Sequence, residues 1–130
     1  SEDVRTVQAS LTSSEISYDS EAIFANAIIY FEFDKSNLTT KSLQTLKSTV
    51  NALEENPAIG LTLSGHADER GTREYNLALG QRRAETVAEY LILNGINKSR
   101  ITVKSYGEEI PAMLGQNEKS YAKNRRVEIN

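Results

Sequence analysis

Two β-forming runs flanking one long helical run, with little spare chain between them, constrain this sequence more than any other feature. Leu61–His66 alternates and carries β-formers. From Glu74 to about Leu93, Leu77, Ala84, Val87, Ala88 and Leu91 mark one helical face, and Asn94-Gly95 supplies the stop. Ile101–Ser105 is β-forming again. A strand, a helix and a strand joined by short crossovers require some parallel pairing. Upstream, the β-branched and aromatic run Ala27–Phe33 reads as a central strand that ends in the turn composition Asp34-Lys35-Ser36-Asn37. Thr39 or Thr40 can then cap a helix on which Leu43, Leu46, Val50 and Leu53 share a face until Asn56-Pro57 ends it. A loop with Gly107, Pro111 and Gly115 and a helical turn near Glu118–Lys123 lead to a late strand, Arg126–Ile129. The order βαβαβ(α)β predicts an α+β sandwich: a small mixed sheet with helices packed on one side.

At 130 residues and 38% hydrophobic content the chain suits one modest core. Residues 1–25 are rich in Ser, Thr and acids without a sustained apolar period and read as a polar tether, leaving residues 26–130 as the domain. Glu2, Asp3, Glu15, Asp19 and Glu21 against Arg5 put −4 on the tether, so the domain carries +1 of the total −3. That balance argues against a nucleic-acid binder. Cysteine is absent, which removes disulfides, thiolate nucleophiles and Cys-ligated zinc. No apolar run approaches the ~18 residues of a membrane span, and the first residues lack a secretory signal pattern, so the chain as it stands is expected to be soluble.

Residues 65–84, Gly-His-Ala-Asp-Glu-Arg-Gly-Thr-Arg-Glu-Tyr-Asn-Leu-Ala-Leu-Gly-Gln-Arg-Arg-Ala, place charge at a strand end and along the helix that follows. At about 100° per residue, Asn76 and Arg83 fall together roughly 60 to 80° from the centre of the core stripe, with Leu79 just beyond. Arg83 is therefore expected at the edge of the fold facing the Asp68 loop, and Arg82 in solvent. An aspartate and an arginine held apart across a groove match a ligand that carries both an ammonium and a carboxylate.

The string Gly65–Ala84 resembles the signature of the OmpA C-terminal family, and Asp68-Glu69-Arg70-Gly71-Thr72 with Glu74-Tyr75-Asn76 is similar to its lipid-anchored, wall-associated branch. Three further segments agree with that branch: Tyr30–Lys35, Ser105–Glu109 and Tyr121–Val127. The resemblance covers roughly residues 27–130. It implies non-catalytic binding of peptidoglycan through the meso-diaminopimelate of the peptide stem, with Asp68 taking the ammonium and Arg83 the carboxylate. Matching family positions add Phe33, Asp34, Asn76, Leu79 and Arg125. It implies no cofactor, a place on the periplasmic face of the outer membrane through an N-terminal lipid anchor, and a TolB-like partner in the Tol system, with a role in envelope integrity and division. A porin or flagellar-motor relative of the same fold would bind the same stem without Tol partners. Ala67 stands where the family usually has Thr, removing a hydroxyl beside Asp68.

Competing readings are a structural ion pair between Asp68 and Arg83, and a metal-dependent wall hydrolase using His66, Asp68 and Glu69 or Glu74. One histidine is thin support for the second, and His66 reads as packed at a strand end. No nucleophile motif accompanies it. Gly65 and Gly71 lack phosphate-loop spacing and read as sources of backbone freedom. Of Tyr30, Phe31 and Phe33, only Phe33, at the strand end, has a plausible role beyond the core.

Overall fold

The computed structural model describes residues 23, 24 and 27–130. Most of the expected tether, residues 1–25, lies outside them, although Phe24 is buried in the core and Ile23 packs against it. The described elements run β1 (Ile28–Tyr30), α1 (Thr40–Glu55), β2 (Leu61–His66), α2 (Arg73–Leu93), β3 (Ile101–Gly107), α3 (Glu118–Asn124) and β4 (Arg126–Ile129), with a short 3-10 turn at Lys98–Arg100.

The four strands form one mixed sheet in the order β1-β4-β2-β3. β2 and β3 pair in parallel across the α2 crossover, as the short connections require. β4 pairs antiparallel with both β1 and β2. β1 is thus an edge strand of three residues and not the central strand its apolar run suggested. Its composition has another cause. Ile29 and Phe31 are buried against the helices, whereas Tyr30 faces outward. Beyond Phe31 the chain leaves the sheet, and its carbonyls are taken by side chains described below.

Ile29, Leu61, Leu63, Val127 and Ile129 face Leu46, Val50 and Leu53 of α1 and Ala84, Val87, Ala88 and Leu91 of α2. Each fully buried aliphatic side chain contributes about 1.5–3 kcal/mol. Thr39 caps α1 by accepting from Ser42 N at 3.1 Å. Leu43, expected in the core stripe, is exposed; Ser42 is buried in its place and donates to the Tyr30 carbonyl. The apolar stripe thus faces the sheet from Leu46 onward, and only its first member, Leu43, lies outside the core. At its other end Arg100 donates to the carbonyls of Leu53, Asn56 and Ile59, closing a terminus that has no basic residue of its own.

Gly65 was expected to supply backbone freedom, and the structure assigns it a different task. A Cβ on Gly65 would lie 1.8 Å from the Gly80 carbonyl oxygen, and one on Gly80 would lie 2.9 Å from the Gly65 oxygen. Two glycines let α2 touch β2 backbone to backbone. Gly71, with φ of 102°, does use the left-handed region.

His66 is 2% exposed and stacks on Tyr106 at 5.5 Å between ring centroids. Neither ring nitrogen has a hydrogen-bond partner among the described residues. Burial, helped by the Arg126 charge and opposed by Glu128, lowers its pKa to about 4.

Two outcomes are expected. Gly65→Ala forces backbone apart and should cost ~3 kcal/mol or more in denaturant unfolding, beyond ordinary overpacking. His66 takes up a proton more readily when unfolded, so its stabilising contribution is complete above pH 6.5 and is lost as pH falls towards 4. The loss approaches roughly 3 kcal/mol, and His66→Phe should flatten that part of the stability profile.

Candidate functional site

The β1–α1 loop, the loop after β2 and the first half of α2 enclose a cavity of about 240 Å³. Phe33, Asp34, Asp68, Asn76, Leu79 and Arg83 all line it, six of the seven residues singled out from sequence. Arg125 does not. It stands behind Asp68, with Nη1 3.6 Å from Oδ2, and lines a neighbouring groove with Tyr30 and Lys123.

Arg83 is not at the edge of the fold but fully buried, at 0% exposure. Helical phase gave its direction correctly, and what it could not show is that the β1–α1 loop closes over it. Nε donates to the Lys35 carbonyl at 2.8 Å, Nη1 to His66 at 2.8 Å and Nη2 to Glu32 at 3.1 Å. Three of its five N–H groups are thereby used. Its guanidinium also lies over Phe31, 5.3 Å from the ring centroid. No carboxylate comes within 4 Å of it among the described residues, so the competing reading of a structural ion pair with Asp68 does not hold. Burial, with the nearby charge of Arg125, lowers its pKa to about 10 against the opposing pull of Asp68 and Asp34. It remains a cation at neutral pH, and its hydrogen bonds all go to carbonyl oxygens.

Asp68 is 4% exposed and well supplied with donors. Arg70 contacts it three times: Nε to Oδ1 at 3.1 Å, Nη2 to Oδ2 at 2.9 Å and the backbone N–H to Oδ1 at 3.1 Å. Burial raises the Asp68 carboxyl, but the Arg70 bonds and the charges of Arg70 and Arg125 outweigh it and hold the group below the ordinary carboxylate value. Arg125 Nη1 is buried and has no hydrogen-bond partner among the described residues, while its Nε and Nη2 donate to the Phe31 carbonyl and Glu118.

The remaining walls are fixed from several elements. Asn76 Nδ2 donates to the Arg70 carbonyl and to Glu108 Oε1, tying the Asp68 loop to the chain after β3. Leu79 is buried and supplies the apolar wall. Asp34 adopts a left-handed conformation, φ 59°, and accepts from the Tyr75 hydroxyl, which raises the Tyr75 pKa. Ala67 is buried in the lining, and its N–H donates to the Gly107 carbonyl. Arg70, Tyr75, Tyr121 and Glu118 were missed as individual members of the site. Arg70 and Tyr75 had a signal, since both stand inside the most informative motif; Tyr121 and Glu118 arrive from α3, about fifty residues away in sequence. Among the described residues no three His, Asp or Glu side chains are grouped as a metal site.

Comparison with known proteins now decides the family, because the OmpA family matches residues 30–125. This chain belongs to the OmpA family. Similar members include the peptidoglycan-associated lipoprotein of Legionella pneumophila, 46% identical over 104 residues that make up 80% of this chain and 59% of the relative. The peptidoglycan-associated lipoprotein of Pseudomonas aeruginosa is 43% identical over 85% of this chain and 66% of its own. The chain thus spans 59% to 66% of the length of these curated relatives. In structure, the OmpA-family domain is similar to the peptidoglycan-associated lipoprotein of Burkholderia pseudomallei, with a TM-score of 0.79 at 38% identity over 82% of this chain and 91% of the other. The C-terminal domain of Helicobacter pylori MotB shares the fold, at TM-score 0.73 and 21% identity over 79% of this chain and 81% of that one. No helix among the described residues is long and apolar enough to cross a membrane.

The carbonyl bonds of Arg83 make a stability prediction. Arg83→Lys can satisfy these spread acceptors only in part and should cost about 3 kcal/mol in thermal or denaturant unfolding, as expected for buried polar groups left unmatched.

Proposed function

We propose that this domain binds peptidoglycan without catalysis, holding the meso-diaminopimelate residue of the peptide stem in the cavity between Asp68 and Arg83. The observation that carries the reading is that a buried, carboxylate-free guanidinium and a buried carboxylate line one small cavity. A ligand end bearing an ammonium and a carboxylate complements both. Its carboxylate gives Arg83 the anion it lacks, and its ammonium meets Asp68. Phe33, Leu79 and Tyr75 offer apolar surface for the methylene chain between the charges, while Asn76 and Asp34 set its walls. Arg125 supports Asp68 from behind.

The names of the relatives support wall attachment as the biological role. In this reading an N-terminal lipid anchor ties the domain to the periplasmic face of the outer membrane, and a TolB-like protein of the Tol system is its partner in envelope integrity and cell division. Charge-assisted contacts of about 1.5–3 kcal/mol each suit reversible binding, and many stems on one polymer raise the avidity.

The test is calorimetric titration with a diaminopimelate stem peptide and its lysine counterpart, using the native domain and Asp68→Asn. The native domain should bind the first peptide and ignore the second, and Asp68→Asn should weaken binding by at least roughly tenfold while remaining folded. Equal binding by native and variant proteins would contradict the assignment.

A further inference from the structure

The seat that Asp68 offers to a cation is already taken. Arg70 lies against both carboxylate oxygens, at 3.1 and 2.9 Å, and its guanidinium carbon lies over two aromatic rings, 4.0 Å from the Phe33 centroid and 4.2 Å from that of Tyr121. Glu118 adds a second carboxylate 3.9 Å away. A carboxylate with two bonds to the cation and two aromatic rings within about 4 Å of it make a cation site. The three sides come from separate parts of the chain: the β1–α1 loop, the β2–α2 loop and α3. Phe33 is 54% exposed, so this seat lies at the mouth of the cavity.

An ammonium that is to reach Asp68 must displace Arg70, and the consequence depends on what else the incoming ligand carries. A lone ammonium takes the carboxylate and leaves the Arg70 guanidinium without that partner. A zwitterion returns an anion to the same cavity, which Arg70 and Arg83 both line. The exchange then gains one pair: the Asp68–Arg70 pair opens, and two pairs form, ligand ammonium to Asp68 and ligand carboxylate to the arginines. Discrimination by penalising the wrong ligand is a general route to specificity.

We propose that Arg70 is the specificity-determining residue of this site, an internal cation that a lone ammonium displaces with no net gain of ion pairs, whereas a ligand carrying both charges gains one. This rests on the wall-binding reading and adds to it the reason for rejecting a lysine stem. Asp68 and Arg83 alone would tolerate lysine, because the ammonium contact survives removal of the carboxylate. Arg70 removes that tolerance.

The experiment is calorimetric titration of the diaminopimelate and lysine stem peptides into the native domain, Arg70→Ala, Arg70→Lys and Asp68→Asn, with melting curves confirming that each is folded. Arg70→Ala should gain affinity for the lysine peptide by roughly tenfold or more, so that the preference for diaminopimelate collapses. Arg70→Lys, which returns a cation to the seat, should restore part of the preference. A merely structural role would weaken both peptides in proportion. The gate alone is overturned if the native domain binds the diaminopimelate peptide, Asp68→Asn loses it, and Arg70→Ala gains nothing for lysine. If the native domain binds neither peptide, the wall-binding reading falls and the gate with it.

Discussion

A guanidinium with no exposed surface has to be satisfied from within, and Arg83 meets that requirement with carbonyls from two separated stretches of chain, Glu32 and Lys35 on one side and His66 on the other. The same three bonds that keep the cation buried draw the β1–α1 loop onto the end of β2. Phe33 and Asp34 lie inside that loop, and Asp68 lies two residues beyond His66, so the cavity walls are set by the bonds of the residue at its floor. The Gly65–Gly80 contact is the partner constraint. It brings α2 close enough to β2 for a side chain on the helix to reach the strand's last carbonyl. Site and fold therefore share one joint.

Electrostatically the cavity is arranged in depth. Carbonyl dipoles surround Arg83 and leave its charge without a carboxylate, whereas Asp68 is matched by Arg70 and backed by Arg125. An anion entering the cavity finds a cation already stripped of water; a cation finds a carboxylate that already has a partner. The cost of that stripping is borne by the folded domain before any ligand arrives, which is what preorganisation means here. His66 belongs to the other half of the design. Its carbonyl holds Arg83, and its ring is buried against Tyr106 with a pKa of about 4, so it stays neutral at neutral pH.

Much of this was legible from sequence because it depends on local periodicity. Leu63, Val87 and Leu91 alternate or recur as buried strand and helix positions do, and β4 was readable to its ends as Arg126–Ile129. Asp68 and Arg83 were linked by helical phase and by the family motif. The failures were non-local. Ala27–Phe33 reads as a central strand because its composition reports burial, and burial here comes from the helices over Ile29 and Phe31 and not from a strand on either side. Arg83 read as an edge residue because one helix cannot show a loop folding over it. Leu43 lost its core place to Ser42, whose hydroxyl bonds the Tyr30 carbonyl across a non-local contact. Gly65 and Gly80 are meaningful only as a pair, and a single glycine carries no sign of its partner. Arg70 stands inside the motif, but its place against Phe33 and Tyr121 depends on three segments meeting.

The central claim, that Arg83 is a fixed buried cation and Arg70 an exchangeable one, is tested most directly by following arginine Nε–H resonances by NMR during titration with the diaminopimelate stem peptide. The Arg83 Nε–H, bonded to the Lys35 carbonyl, should exchange slowly in the free domain and stay protected when the peptide binds, while the Arg70 Nε–H shifts strongly as it leaves Asp68. Rapid exchange at Arg83 in the free domain, or an Arg70 resonance unmoved at saturation, would contradict the account.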